Sequence, residues 1–268
     1  MTYDKPQVMG IINMTDDSFY ASSRTDTAAL AVEKAEAMLA EGADILDIGG
    51  CSTRPGCKVA DEDTEIARVI PAIRAISVRF PQATISVDTF RSRVAEMAAD
   101  AGAHIINDIS GGDFDNEMFP TVARLGIPYI LMHTKGMPDE MGANAVYGDV
   151  TKEVIAHLSQ RLERLREMGV KDVIIDPGFG FAKNTDQNFQ LLRDLKEFKK
   201  LGCPVLAGIS RKGMVWKTLG ITPDEALNGT TILNTLALVS GADILRVHDV
   251  RAAVEAVRLV RLAGYTGN

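Results

Sequence analysis

Gly169-Val-Lys-Asp-Val-Ile-Ile-Asp176 follows a stretch with helical periodicity, Thr151 to Met168, and runs straight into Pro177-Gly178. A Gly just past the last periodic residue is the expected left-handed helix cap. The run Val173 to Asp176 behind it reads as a buried strand that is apolar until its final carboxylate. The same order recurs along the chain. Gly42 leads into Asp44-Ile-Leu-Asp47, Gly102 into His104-Ile-Ile-Asn107, Gly126 into Tyr129-Ile-Leu-Met132, Gly202 into Val205-Leu-Ala-Gly208 and Gly241 into Ile244-Leu-Arg246. Val8 to Ile12 and Thr84 to Val87 enter their strands without that Gly and bring the strands to eight.

Between these strands the spacing predicts helices over Thr27–Ala40, Thr64–Val78, Arg91–Ala101, Asn116–Leu125, Thr151–Met168, Asp186–Leu201, Pro223–Val239 and Arg251–Ala263. Strand runs apolar on both faces belong to parallel sheets, and a period of about 33 residues is the size of one βα step. The alternation therefore predicts an α/β fold, a single (β/α)8 TIM barrel over residues 1–268 with its active site at the C-terminal ends of the strands. An open doubly wound sheet is the alternative. The longest irregular stretches, Thr15–Asp26, Cys51–Asp63 and Thr134–Asp149, directly follow strands. Barrels keep their active-site loops there.

Composition narrows the functional class. The chain has 268 residues, 46% hydrophobic and 24% charged, which excludes disorder, collagen and coiled coil. Its 29 Lys and Arg against 36 Asp and Glu give a charge of −7, the wrong sign for coating nucleic acid or an anionic membrane. An anionic ligand must then meet a local basic cluster. Cys51, Cys57 and Cys203 form no C-x-x-C pair and cannot all be paired within one chain, so all three read as free thiols in a reducing, cytoplasmic setting. No signal-peptide order and no run of apolar residues long enough to span a bilayer is visible.

In a barrel the strand ends meet at one mouth. They supply Asn13, Asp47, Asp88, Asn107, His133, Asp176, Ser210 with Lys212, and Arg246 with His248. The acidic and amide side, Asp47, Asp88, Asn107 and Asp176, accepts hydrogen bonds or binds a cation. The basic side follows strands 7 and 8, where barrels commonly bind phosphate. His133 also reads as a simple strand cap, Arg211 equally as a member of the basic cluster or as a surface charge, and His157 as a solvated helix-face residue. Several motifs fail: Gly208-Ile-Ser-Arg-Lys-Gly213 is neither G-x-S-x-G nor a Walker A sequence, and no H-E-x-x-H or Cys/His cluster is present. Asp16 and Asp17 could be a metal pair or a solvated turn.

Taken together the motifs resemble the dihydropteroate synthase family, from end to end. The resemblance rests on Gly10-Ile-Ile-Asn-Met-Thr-Asp-Asp-Ser-Phe19, Asp44-Ile-Leu-Asp-Ile-Gly-Gly-Cys-Ser-Thr-Arg-Pro-Gly56, Ile85-Ser-Val-Asp-Thr89, Asn107-Asp-Ile-Ser-Gly111, Met132-His133, Asp176-Pro-Gly-Phe-Gly-Phe181, Ser210-Arg-Lys212 and Arg246-Val-His-Asp-Val250. It implies an enzyme that joins 4-aminobenzoate to dihydropterin pyrophosphate with Mg²⁺, and a homodimer. By the same resemblance Asp88, Asn107, Asp176 and Lys212 would bind the pterin. Asn13, Arg54, Arg246 and His248 would hold the pyrophosphate, with Asn13 on the Mg²⁺. Phe19, Thr53, Pro55, Phe181 and Ser210 would surround the aminobenzoate, and Asp88, Lys212, Arg246 and His248 would be the catalytic set. The sequence departs from the family at Asp16, where Pro is usual, at Tyr20-Ala-Ser-Ser-Arg24, which replaces a Gly-containing turn, and at Cys51.

The resemblance implies leaving-group departure before amine attack, with catalysis mostly electrostatic. Two rivals fit less well. A pterin-binding methyltransferase would need the acidic side of the rim but no pyrophosphate clamp, and a non-catalytic homologue should have lost part of that clamp. The chain has Asn13, Arg54, Lys212, Arg246 and His248.

Overall fold

The computed structural model describes residues 3–14, 24–51, 59–137 and 144–265, with the backbone alone at 24–26. Strands and helices alternate throughout: β1 (Gln7–Asn13), α1 (Arg24–Glu41), β2 (Ile45–Gly49), α2 (Glu62–Arg79), β3 (Thr84–Asp88), α3 (Ser92–Ala101), β4 (Ile105–Asp108), α4 (Met118–Leu125), β5 (Tyr129–Met132), α5 (Val150–Glu167), β6 (Val173–Asp176), α6 (Thr185–Arg193), β7 (Leu206–Ala207), α7 (Gly213–Leu219), α8 (Leu227–Val239), β8 (Ile244–Val247) and α9 (Val250–Leu262). All strand pairs are parallel, in the order β6-β5-β4-β3-β2-β1-β8-β7. A parallel bridge between Ile175 and Val205 joins β6 to β7 and closes the ring. The fold is the (β/α)8 barrel the alternation predicts. The six capping glycines, Gly42, Gly102, Gly126, Gly169, Gly202 and Gly241, all have positive φ.

Period-two alternation divides the core. One parity of each strand faces the helices and packs with them into the larger cluster, which includes Ile12, Leu46, Ile85, Ile106, Leu131 and Ile175. The other parity fills the barrel: Met9, Ile45, Ile105, Ile130, Ile174, Leu206 and Ile244 form one buried inner layer, with Tyr3 packed against it. Each fully buried aliphatic chain contributes about 1.5–3 kcal/mol, so this layer is a firm base. Two residues further along the same faces come Asp47, Asn107, Met132, Asp176, Gly208 and Arg246. The polar mouth thus lies one layer above the aliphatic plug because strand side chains alternate strictly.

Two elements differ from the sequence expectation. The predicted helix Asp186–Leu201 divides into α6 and a 3-10 turn, Leu195–Leu201. Asp194 lies at the break and accepts from the Thr151 hydroxyl at 2.9 Å, a tertiary bond to α5 that periodicity cannot show. The helix α7, only seven residues long, is an addition between β7 and α8. It begins at Gly213 and is capped by Gly220, and both residues argue against a helix in the sequence.

Candidate active site

The acidic side of the mouth is built by β2, β3, β4 and β8. Arg246 points inward from β8 and donates from Nε to Asp47 Oδ2 at 2.6 Å and from Nη2 to Asp88 Oδ2 at 2.6 Å. Asn107 Nδ2 donates to the same Asp47 oxygen at 3.0 Å. Asp47, Asp88 and Asn107 are all buried. Asp88 needs its neighbour small, since a Cβ on Gly49 would stand 3.3 Å from the Asp88 Cβ. Burial pushes the Asp88 carboxyl up to about 7, with Arg246 opposing the rise and Asp47 adding to it. One guanidinium serves two carboxylates. Burial also works against the Arg246 charge, but Asp47 and Asp88 outweigh it and raise the guanidinium pKa.

The opposite side comes from β6 and β7. Asp176 is buried and accepts from the Gly178 N–H at 2.7 Å, and burial raises its pKa against the pull of Lys212 and that N–H. Lys212 donates to the Phe179 carbonyl, and its Nζ lies 4.6 Å from the centre of the Phe181 ring. Burial lowers the Lys212 pKa to about 8, with Asp176 opposing. Lys212 and Arg246 flank Gly208, where a Cβ would meet Lys212 Nζ at 3.7 Å and Arg246 Cβ at 3.9 Å. The missing side chain at Gly208 leaves room in the mouth between the two cations. Phe181 packs with Met132, Ile109 and Phe90 as an apolar cluster beside the polar groups. A flat polar ring can lie against that cluster while acceptors meet its edge.

At the rim, Ser210 Oγ lies 3.1 Å from His248 Nδ1 and accepts from the His248 N–H at 3.2 Å. His248 is exposed and Asn13, at the end of β1, is half-buried. Phe19, Thr53, Arg54 and Pro55 lie outside the described residues, as do Asp16, Asp17 and Cys57. The structure therefore brings Asp88, Asn107, Asp176, Lys212, Arg246 and Phe181 together and sets Ser210 and His248 as a bonded pair at the β7–β8 rim. Arg246 belongs geometrically to the carboxylate side as well as to the basic side.

Arg211 is not a surface charge. Its guanidinium makes a two-pronged bond to Asp249, 2.8 Å at both contacts, and donates to the Pro223 and Asp224 carbonyls, each at 2.9 Å. His157 is not a solvated residue either, because its ring packs edge-on against His133 at 4.6 Å and burial lowers its pKa to about 4. His133 is buried and its pKa is lowered by burial and by Lys183.

Sequence reasoning missed Lys183. Its buried amine, held well below the usual lysine pKa by burial, gathers His133 Nδ1 at 3.0 Å, the His133 carbonyl at 3.3 Å, and the Gly178 and Phe181 carbonyls at 2.9 Å each. It pins the loop that presents Asp176 and Phe181. Gly178 permits this crossing: its φ is +73°, and a Cβ there would fall 2.0 Å from the His133 carbonyl oxygen. The only sequence signal was its place two residues after Phe181. Cys51 is a buried free thiol at the start of the second loop, 3.3 Å from the Glu65 carboxylate, which is also paired with Arg91.

An acceptor-lined slot beside an aromatic ring, with lysine and arginine at its mouth, suits a small nitrogen-rich ring carrying an anionic group. The chain belongs to the family of pterin binding enzymes, which it matches over residues 9–248. Within that family it is similar to the dihydropteroate synthases. It is 41% identical to dihydropteroate synthase of Escherichia coli strain K12 over 257 residues, covering 95% of this chain and 90% of that one. The Yersinia pestis dihydropteroate synthase, solved with a sulfonamide drug, superposes with a TM-score of 0.92 at 38% identity, covering 98% of this chain and 96% of that one. The Xanthomonas albilineans enzyme, solved with 7,8-dihydropteroate, gives 0.88 at 37% identity, covering 98% and 95%.

Proposed function

We infer that the protein is a transferase of folate biosynthesis, a dihydropteroate synthase. It condenses 6-hydroxymethyl-7,8-dihydropterin pyrophosphate with 4-aminobenzoate to give 7,8-dihydropteroate and pyrophosphate. The observation that carries the reading is the convergence of buried Asp88, Asn107 and Asp176 with half-buried Lys212 and Arg246 in one mouth. Its support is the similarity to synthases over nearly the whole chain. An amino-pyrimidinone edge is rich in N–H donors, and carboxylates accept only. Asp176 has one oxygen on the Gly178 N–H and offers the other to that edge. Lys212 stands between the ring and Phe181, where it serves the pterin and borders the aminobenzoate.

The C–O bond to pyrophosphate breaks first and its electron pair leaves with the phosphate. The ionised carboxylates, Asp88 above all, stabilise the cationic pterin that remains. The unprotonated aniline nitrogen then forms the C–N bond and loses a proton to solvent, so no strong base is required. Arg246 has five N–H donors, two of them on Asp47 and Asp88, and the others would meet the departing phosphates together with His248 and Arg54. Phe19, Thr53 and Pro55 would close over the aminobenzoate held by Phe181 and Ser210.

The chemistry of Asn13 fits Mg²⁺, whose preferred partners are oxygens and substrate phosphates. A half-buried amide oxygen at the end of β1 can complete a coordination shell that the pyrophosphate mostly supplies. When bound, Mg²⁺ would neutralise charge on the leaving group. EDTA-treated enzyme should lose turnover and regain it with added Mg²⁺, and full turnover without a divalent ion would remove this assignment.

The test of the function is pyrophosphate release with and without 4-aminobenzoate. Turnover should require both substrates, and Arg246→Ala should slow release about 10²–10³-fold. Activity only with methyl-folate and a corrinoid acceptor would select the methyltransferase. No helix among the described residues is long and apolar enough to cross a membrane. The reducing setting read from the cysteines supports a cytoplasmic location, and a homodimer is proposed through the apolar face of α7, α8 and α9.

A further inference from the structure

Asp47 is buried at 0% exposure and contributes two facts that stability does not explain. Its Oδ2 holds two donors, Asn107 Nδ2 and Arg246 Nε, while its Oδ1 is buried with no hydrogen-bond partner among the described residues. An under-satisfied buried carboxylate is costly, and an apolar residue of similar volume would often be no less stable. The strand between Asp47 and Asn107 is β3, and its inward residue in register with Asp47 is the small Ser86. The pair therefore spans from β2 to β4 through a gap that the sequence leaves open.

We propose that Asp47 is a positioning residue that fixes which end of the Asn107 amide faces the pterin. The proposal rests on the reading of the slot given above. A carboxylate can only accept, so the amide nitrogen of Asn107 must turn toward Asp47 and its carbonyl oxygen toward the opposite side. A freely turning amide would present a donor as readily as an acceptor. Held by Asp47, Asn107 offers an acceptor to a ring edge made of donors. The same Asp47 oxygen holds Arg246, so one buried carboxylate sets the polarity of the pterin slot and the position of the cation beside it.

The test uses the full-length enzyme and calorimetry with 6-hydroxymethylpterin, which lacks a leaving group. Asp47→Asn lets either end of Asn107 face the slot and should weaken pterin binding about 10- to 100-fold. The exchanged pair D47N/N107D reverses the donor and the acceptor. The amide introduced on β2 then donates and the carboxylate introduced on β4 accepts, with its second oxygen returned to the slot as an acceptor. Affinity should recover to within a few-fold of wild type, while the KM for 4-aminobenzoate stays unmoved throughout. A structural role alone would not produce that rescue.

Unchanged pterin affinity in D47N, or an exchanged pair no better than D47N, would overturn the proposal. Thermal unfolding is followed for each variant. Should D47N fail to fold, N107D alone is compared with the exchanged pair: N107D sets two carboxylates against each other, and adding D47N must raise affinity about tenfold or the proposal fails. Pterin binding by wild type without aminobenzoate turnover would sink the transferase reading and leave this comparison intact.

Discussion

Asp88 and Lys212 titrate toward each other in one buried space. Burial raises the Asp88 carboxyl to about 7 and lowers the Lys212 ammonium to about 8. A carboxylate that stabilises a pterin cation must be ionised, and a lysine that meets a carbonyl must be charged. kcat/KM should therefore be bell-shaped, with an acid limb near 7 and a basic limb near 8. Asp88→Asn should remove the acid limb together with much of the rate, and Lys212→Arg the basic limb; a profile flat across that range would refute both assignments. For stability the signs follow from linkage. The raised Asp88 pKa favours the fold below the unfolded carboxyl value, a contribution lost as pH rises through about 7. The lowered Lys212 pKa disfavours the fold while the amine is charged, and that penalty is relieved as pH rises from about 8 toward the unfolded lysine value.

Among the elements, the segment from β7 to α7 depends most on a single side chain. Arg211 has a positive φ of 52°, and its N–H donates to Thr230 Oγ1 on α8 at 3.1 Å. Its guanidinium ties the same loop to Asp249 before α9 and to the turn before α8. Ser210 and Lys212 are its neighbours on either side, so the clamp aims both. Arg211→Lys keeps the charge and loses the planar fork, which should cost about 1.5–3 kcal/mol in urea unfolding. Turnover should fall as well, because Lys212 loses its fixed approach to Phe179 and Phe181. Unaltered stability and rate would mean that the loop is held by its backbone alone.

On the whole molecule, the exposed large apolar residues gather on one side. Leu219, Leu227, Ile232, Leu236, Val239, Leu259, Leu262 and Tyr265 lie on or just after α7, α8 and α9, and only Val78, Val146 and Met168 of that class lie elsewhere among the described residues. A clustered apolar face on a chain carrying a charge of −7 is the surface on which a second copy would pack. Light scattering should give a dimer for the wild type and a monomer for Leu236→Glu. A wild-type monomer at micromolar concentration would remove the homodimer.

Eight strands alternating with helices are legible in the sequence, because glycine caps, apolar runs and terminal polar residues are local signals that recur with one period, but these signals suit a closed barrel and an open sheet alike, and the Ile175–Val205 bridge closes the ring. Asp88, Asn107, Asp176 and Arg246 are legible too, as polar residues at the ends of apolar strand runs, and Lys212 as a base in the loop that follows the seventh strand. What those side chains meet depends on closure of the barrel. Arg246 and Asp47 are 199 residues apart and become neighbours because β8 closes onto β1, which pairs with β2. The burial of Lys183, the packing of His157 on His133 and the short α7 were equally illegible: each depends on a partner that no local period specifies. Periodicity fixes the direction a side chain leaves the strand, and closure of the ring selects the group waiting there.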